Sequence, residues 1–324
     1  MDDRMFHEYR RDPDPRFARS LRERLRRQEG TPRVRGVTRA LAAACGVAIV
    51  AVLFTIPSVR VAAQSFLDVF RVRRFAAVQF DEDRMETLRA LGDDPERLVF
   101  DRTEKVLDPG PPRYVPSREA ASPEVGFAVA APSYLPEGLA PDSVFVQGEG
   151  AMRLSVSEAK LRSLLQRLDL NDVSVPTGLD GRWIEVRKPP VVVQKFRSAR
   201  SQRAILIKAK SPEVSVPAGL DVEGLAQVGL RVLGLDAAKA RRIVRSIDWR
   251  TTLLAPVPTN ASTFRQVTVH GQPGLMITTT GDRGGDGKRR HEGTLLLWTE
   301  GGRVFCIQGN LSGPDLIQMA ESVS

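Results

Sequence analysis

A chain of 324 residues, 42% hydrophobic and 27% charged, is too apolar to stay disordered and long enough to build a packed core. Much of its formal charge of +9 sits in an Arg-rich N-terminus, so the basic balance describes a tail more than a nucleic-acid-binding domain. Only two cysteines, Cys45 and Cys306, are present, which excludes a disulfide-framed scaffold.

Residues 1–39 form the basic tail, with 12 Arg against 7 acidic residues. Asp14-Pro15 is a good cap and first-turn pair, and it predicts a helix over 13–28. Phe17, Ala18, Leu21 and Leu25 then make a narrow apolar stripe on an Arg-covered rod. A helix this short cannot bury such a stripe against itself. Phe17, Leu21 and Leu25 are therefore read as a docking stripe for a cytoplasmic partner or for anionic headgroups. The plain alternative is a solvated tail that only sets topology. Aromatic interleaving and recognition motifs are both missing, so nucleic acid is not an expected partner.

Ala40–Val59 contains no charged residue and has the length of a membrane-spanning helix, roughly 20 residues. Arg39 and Arg60 bracket it, and the more basic flank places the N-terminus in the cytoplasm. A signal peptide cleaved after Val61-Ala62-Ala63 competes with this reading. The long preceding tail and the long apolar run favour an uncleaved signal-anchor. A buried core helix is disfavoured by the uncharged length and the Arg flanks. Cys45 and Cys306 then fall in different compartments and cannot pair.

Beyond Pro57, the spacing of Val59, Ala62, Ala63, Phe66 and Phe70 predicts a neck helix at the outer leaflet. Arg39, Arg60, Phe66, Phe70, Arg71, Arg73 and Arg74 are the expected membrane-interface residues. A short helix follows over Glu82–Leu91, closed by Gly92, so 60–106 reads as juxtamembrane neck helices. Residues 107–123, rich in Pro and small side chains, read as a linker.

The remainder, 124–324, is expected to be an extracytoplasmic α+β domain of mainly antiparallel sheet with packed helices. Strands are predicted at 126–130, 143–147, 152–156, 182–186, 191–196, 204–209, 264–270, 274–280, 294–299 and 303–308. His270-Gly271 and Gly301-Gly302 supply hairpin turns. Leu161, Leu164, Leu165 and Leu168 mark a helix face behind a Ser155-x-x-Glu158 capping box. Ala240, Ile243, Val244 and Ile247 repeat the pattern behind Asp236. Ser312-x-x-Asp315 opens a last helix with Leu316, Met319, Ala320 and Val323 facing inward. Val173–Asp180 is echoed by Val214–Asp221, each copy an extended run closed by a Pro-x-Gly turn; they are either paired turns of one subdomain or chance.

Catalytic chemistry is hard to find. His270 and His291 lie at ends of adjacent strands and read as exposed loop histidines, without the further ligands of a metal site. Gly281–Lys288 superficially looks like a phosphate loop, but Asp282 stands at the first glycine and Arg289 at the Ser or Thr position, so it reads as a hairpin loop. No nucleophile–base pair, metal set or cofactor motif is present, and an enzyme is not expected.

The segments VTVHGQPGLMI and LLLWTEGGRVFCIQGNLSGPDLIQMAESV, with Ala131-Pro-Ser-Tyr-Leu-Pro-Glu-Gly138 upstream, resemble in order an uncharacterised bacterial extracytoplasmic domain family. That family, a domain of unknown function, occurs behind the single-pass anchors of anti-sigma-factor-like membrane proteins. Residues 161–258 look like an insertion or divergent subdomain within it. The resemblance implies a membrane-anchored sensor or regulator that binds an envelope ligand and signals to a cytoplasmic partner, a sigma factor by analogy. The zinc-type His/Cys cluster of many anti-sigma domains is missing from the tail. The alternative is an envelope structural protein, or a lipid or lipoprotein carrier, with a passive anchor.

Overall fold

Leu67–Arg71, expected to continue a neck helix, is instead the first strand, β1. A computed structural model of the protein describes residues 67–80, 82–91, 95–199, 201–259, 262–279 and 293–323. In β1, Phe70 and Arg71 pair with Val214 and Glu213 of β10 (Glu213–Pro217). Arg73 and Arg74 lead into β2 (Arg74–Phe80), which runs parallel to β11 (Thr252–Pro258) along its whole length. Helical spacing is overridden because distant groups take the backbone hydrogen bonds. The Val72 N–H donates to Ser211 Oγ at 2.8 Å, and the N–H groups of Arg73 and Arg74 both donate to Thr251 O. Thr299 Oγ1 donates to the Arg73 carbonyl at 2.7 Å.

Phe17, Leu21, Leu25, Arg39, Ala40–Val59, Arg60 and Phe66 lie outside the described residues. Among the described residues, no helix is long and apolar enough to cross a membrane.

The described chain is α+β, and its two larger sheets are antiparallel. The smaller has the order β1-β10-β7-β6-β3, with β3 at Phe100–Leu107, β6 at Gly150–Val156 and β7 at Trp183–Lys188. Its core is closed by α1 (Glu82–Leu91), α2 (Pro95–Val99), α4 (Glu158–Arg167), α5 (Val222–Val232) and α6 (Ala237–Ser246). Leu161, Leu164, Leu165 and Leu168 are all buried there, as the sequence pattern requires. The cap differs: Ser157, not Ser155, accepts from the Lys160 N–H. Ser155 is buried within β6, while Glu158 accepts from the Leu179 N–H at 3.0 Å. Asp236 caps α6 as expected.

The larger sheet has eight strands in the order β12-β13-β14-β15-β9-β8-β5-β4. They are β4 (Arg113–Val115), β5 (Ala140–Gln147), β8 (Val191–Arg197), β9 (Arg203–Lys210), β12 (Ser262–Val269), β13 (Gln272–Thr279), β14 (Gly293–Glu300) and β15 (Arg303–Gly309). One face packs on α7 (Gly313–Glu321) through Leu316, Met319 and Ala320, over Trp298, Leu296 and Ile307. The other face carries the β2–β11 pair, with Val257 and Phe75 against Leu275 and Ile277.

Three expectations from the sequence are corrected. The segment read as linker, 107–123, folds into β4 and most of α3 (Arg118–Val125), which buries Ala121 and Val125. Ser117 caps that helix at Ala120 N–H, and the cost of Pro123 inside it is one missing donor. Residues 126–130 are not a strand. Gly126 turns left-handed at φ 71° as a helix cap, and side chains satisfy the following backbone: Val129 N–H donates to Ser122 Oγ, and Ala130 O accepts from Gln194 and Lys208. Residues 161–258 are no body apart, since they supply β8 and β9 of the larger sheet together with β7 and β10 of the smaller.

The echoed segments meet in space. Val214–Pro217 lies within β10, whereas Val173–Pro176 is irregular. The Arg182 guanidinium donates to Gly178 O and, at 2.6 Å, to Ala218 O, so one cation ties both Pro-x-Gly turns together.

Candidate functional site

On the helix-bearing face of the larger sheet, a polar stripe separates the core under α7 from the smaller core under α3. Residues 127–133 cross the sheet there, between the two helices. The crossing is tied at one end by the bonds to Ala130 O. At the other, Ser133 N–H donates to Ser322 O, and Tyr134 N–H donates to Ser322 Oγ at 3.0 Å. The Tyr134 hydroxyl donates to Asp315 at 3.3 Å. Beside this crossing lies a cleft of about 560 Å³. Phe127 and Ala128 form one wall, the end of α7 and the two hairpin turns another, and Lys208, Arg303 and Phe305 the floor.

Lys208 and Phe305 pair across β9 and β15, and Arg303, two residues before Phe305, projects to the same face. Lys208 is only 3% exposed. Its ammonium donates to Ala130 O at 2.8 Å and lies 5.4 Å from the Phe305 ring. Burial is the main reason its pKa is pushed down to about 8, with the Arg303 and Arg118 cations adding to the effect and Glu300 opposing it. Arg303 stacks its guanidinium 5.2 Å from the Phe127 ring. Among the described residues, neither Lys208 nor Arg303 has a carboxylate in ion-pair contact.

His270, read from sequence as an exposed loop histidine, is a half-buried clip. It sits left-handed at φ 49° in the β12–β13 turn. Its Nδ1 is 2.9 Å from Glu300 Oε2 and its Nε2 is 2.8 Å from the Glu321 carbonyl. Both partners are acceptors, so the ring must donate from both nitrogens, which is the protonated form. Its backbone N–H also donates to Glu321 Oε1. The Glu300 hydrogen bond first, then the Glu321 carbonyl, holds the imidazole pKa above its ordinary value. A raised folded-state pKa contributes stability that is complete below the unfolded value, about 6.5, and is lost as pH rises through the folded value. His270→Asn keeps a side chain that tolerates the left-handed backbone but removes the charge. Urea unfolding is expected to give a wild-type advantage over His270→Asn that is largest at pH 5.5–6 and shrinks steadily above pH 7. Parallel stability–pH curves would show that the clip carries no charge.

His291 and residues 281–288 lie outside the described residues. Among the described residues, no three His, Cys, Asp or Glu side chains converge as metal ligands. Cys306 is a free thiol in β15, and burial pushes its pKa up to about 12, so it is no nucleophile at neutral pH.

The sequence reading missed Lys208, Arg303, Glu300 and Glu321. One signal was present. In Arg203–Lys210 (RAILIKAK), strict alternation places Lys208 in phase with Ala204 and Leu206, on the buried face. A lysine in core phase is the kind of buried polar group that marks a site.

Comparison with protein-family models, with curated proteins and with solved structures yields no match.

Proposed function

We propose that the chain is a single-pass, membrane-anchored extracytoplasmic sensor or regulator. In this reading Ala40–Val59 spans the bilayer, the tail stays inside, and the α+β domain binds an envelope ligand. The tail helix, through Phe17, Leu21 and Leu25, holds a cytoplasmic partner, for which the anti-sigma-like resemblance suggests a sigma factor.

The observation that carries the reading is the weaving of β1 and β2 into the ectodomain. Leu67 is only eight residues beyond Val59, a reach of about 28 Å at full extension. Within the next few residues the chain joins the smaller sheet through β10, then crosses to β11 on the larger one. A passive tether needs no such attachment. Here a rearrangement of either sheet pulls on the strand nearest the anchor, which supports signalling better than simple display.

The test is affinity capture from source-cell membranes with the full-length protein and with Leu21→Glu/Leu25→Glu. A carboxylate desolvated in an apolar seam costs about 2 kcal/mol or more, so recovery of a sigma factor should fall more than about tenfold. If both baits recover the same envelope proteins and nothing cytoplasmic, the tail is only an anchor. The structural or carrier alternative would then hold.

A further inference from the structure

We infer that the cleft over β9 and β15 binds a carboxylate attached to a small apolar group, with its oxygens held between Lys208 and Arg303. The inference rests on the ectodomain being a ligand-binding module, and it names the class of ligand.

Three features carry it. First, Lys208 and Arg303 are neighbouring cations on one sheet face, and both line an open cleft. Lys208 is 3% exposed, so it has surrendered nearly all its hydration in return for one carbonyl and one aromatic face. An ammonium has three donors, and burying it with so few strong acceptors is costly. An anionic oxygen in the cleft would supply the missing partner and relieve the repulsion between the two cations.

Second, the charge of the lining selects a monoanion. Lys208, Arg303 and protonated His270 face the cleft together with Glu300 and Glu321, which leaves one positive charge unmatched. Both carboxylates are engaged by His270, and among the described residues neither is in ion-pair contact with Lys208 or Arg303. A doubly charged phosphate would be overcompensated and pressed toward those carboxylates. A carboxylate fits the balance and suits the two-pronged geometry of a guanidinium.

Third, Phe127, Ala128, Phe305 and Val323 also line the cleft, alongside Ser133, Gly301 and Ser322. They provide an apolar wall beside the cations, suited to a short hydrocarbon portion and poorly suited to a bare inorganic ion.

The test uses purified full-length protein in neutral detergent and ligand-observed NMR with butyrate, butyramide and dimethyl phosphate. Butyrate is expected to bind, and butyramide, its uncharged counterpart, to bind at least about tenfold more weakly. Arg303→Gln should weaken butyrate about tenfold. Lys208→Met should abolish binding without lowering the melting temperature, because Met fills the lysine stem and removes a buried charge. Binding should weaken between pH 7 and pH 9 as Lys208 loses its proton, and the protonated His270 held by Glu300 and Glu321 gives up its own charge as the pH rises; Arg303, Arg118 and Glu300 are the other charged groups that act on Lys208.

Equal binding of butyrate and butyramide would overturn the proposal, as would wild-type affinity in both variants. Preference for dimethyl phosphate would overturn the carboxylate assignment and point to a phosphodiester such as a lipid headgroup. The probe is added outside any partner complex. Its failure would leave tail-dependent sigma-factor capture untouched, and loss of capture with intact butyrate binding would overturn only the signalling role.

Discussion

Trp298→Ala is expected to destabilise the protein by about 3–5 kcal/mol, the usual cost of deleting a large buried aromatic side chain. Trp298 is 0% exposed and stacks on Phe305 with ring centroids 4.8 Å apart and planes 12° from parallel. Its position depends on Gly274, its partner across β13 and β14. A Cβ there would lie 3.1 Å from Leu297 O and 3.5 Å from Trp298 Cβ, so a larger residue would press on the strand that carries Trp298. Removing the indole leaves a void between the sheet and α7 that the flanking β-ladder cannot collapse to fill. Denaturant unfolding should show the midpoint falling with little change in slope. Trp298→Phe provides the contrast. The indole N–H meets no acceptor among the described residues, so deleting that unpaired donor offsets part of the lost contact. Phe should therefore cost much less than Ala. If the two variants were equally destabilised, the stacking and cavity account of this position would be wrong.

Val257→Asp is expected to have an effect of similar size but a different reach. Val257 is 0% exposed in the apolar layer between the β2–β11 pair and the larger sheet, against Leu275 and Ile277. A carboxylate there has no cation or donor in that layer, so it ionises at a cost of several kcal/mol or takes up a proton. We expect a loss on the order of 3 kcal/mol, concentrated in that layer. Hydrogen exchange should accelerate most at 74–80 and 252–258, and least under α7, whose core is separate from this layer. Val257→Thr, nearly the same shape, should move both measures far less. Uniform acceleration across all strands would mean that the β2–β11 pair is no distinct unit. Because β2 directly follows β1, the strand nearest the apolar N-terminal segment, this variant also tests whether loosening it alters the tail-dependent capture proposed above.

Much of the described fold was legible because its signals are local. Asp236 and Ser312 cap their helices by reaching N–H groups only three residues ahead. The turns at 270–271 and 301–302 need only backbone that Gly, or a left-handed His270, provides. Strands such as β9 and β14 alternate strictly between the two faces, so their inward sets can be read from the chain itself. The face of α7 follows the same logic, with Leu316, Met319 and Ala320 buried, whereas Val323, expected on the same face, is buried beyond the helix end in a bridge to Pro132. These features require no knowledge of what lies across the sheet.

Other features were decided only in three dimensions. The helical spacing of Val59, Ala62, Ala63, Phe66 and Phe70 runs into a strand: β1 pairs with β10, the N–H groups of Val72, Arg73 and Arg74 are taken by Ser211 and Thr251, and β2 takes β11 as its partner. Those groups lie far along the chain, and no local pattern encodes them. A Pro-rich stretch became α3 because a neighbouring sheet offered a place to bury Ala121 and Val125. The cleft is the clearest case. Lys208, His270, Glu300, Arg303 and Glu321 are individually ordinary surface residue types. Sheet register sets Lys208 beside Phe305, and the docking of α7 brings the Glu321 carbonyl to His270. By itself the sequence determined the α+β class, the caps at Asp236 and Ser312 and the inward faces, because each depends on neighbours within one or two turns. Tertiary structure alone decided which charges converge, because an unpaired cation becomes a binding site only when folding removes its water and leaves a cleft beside it.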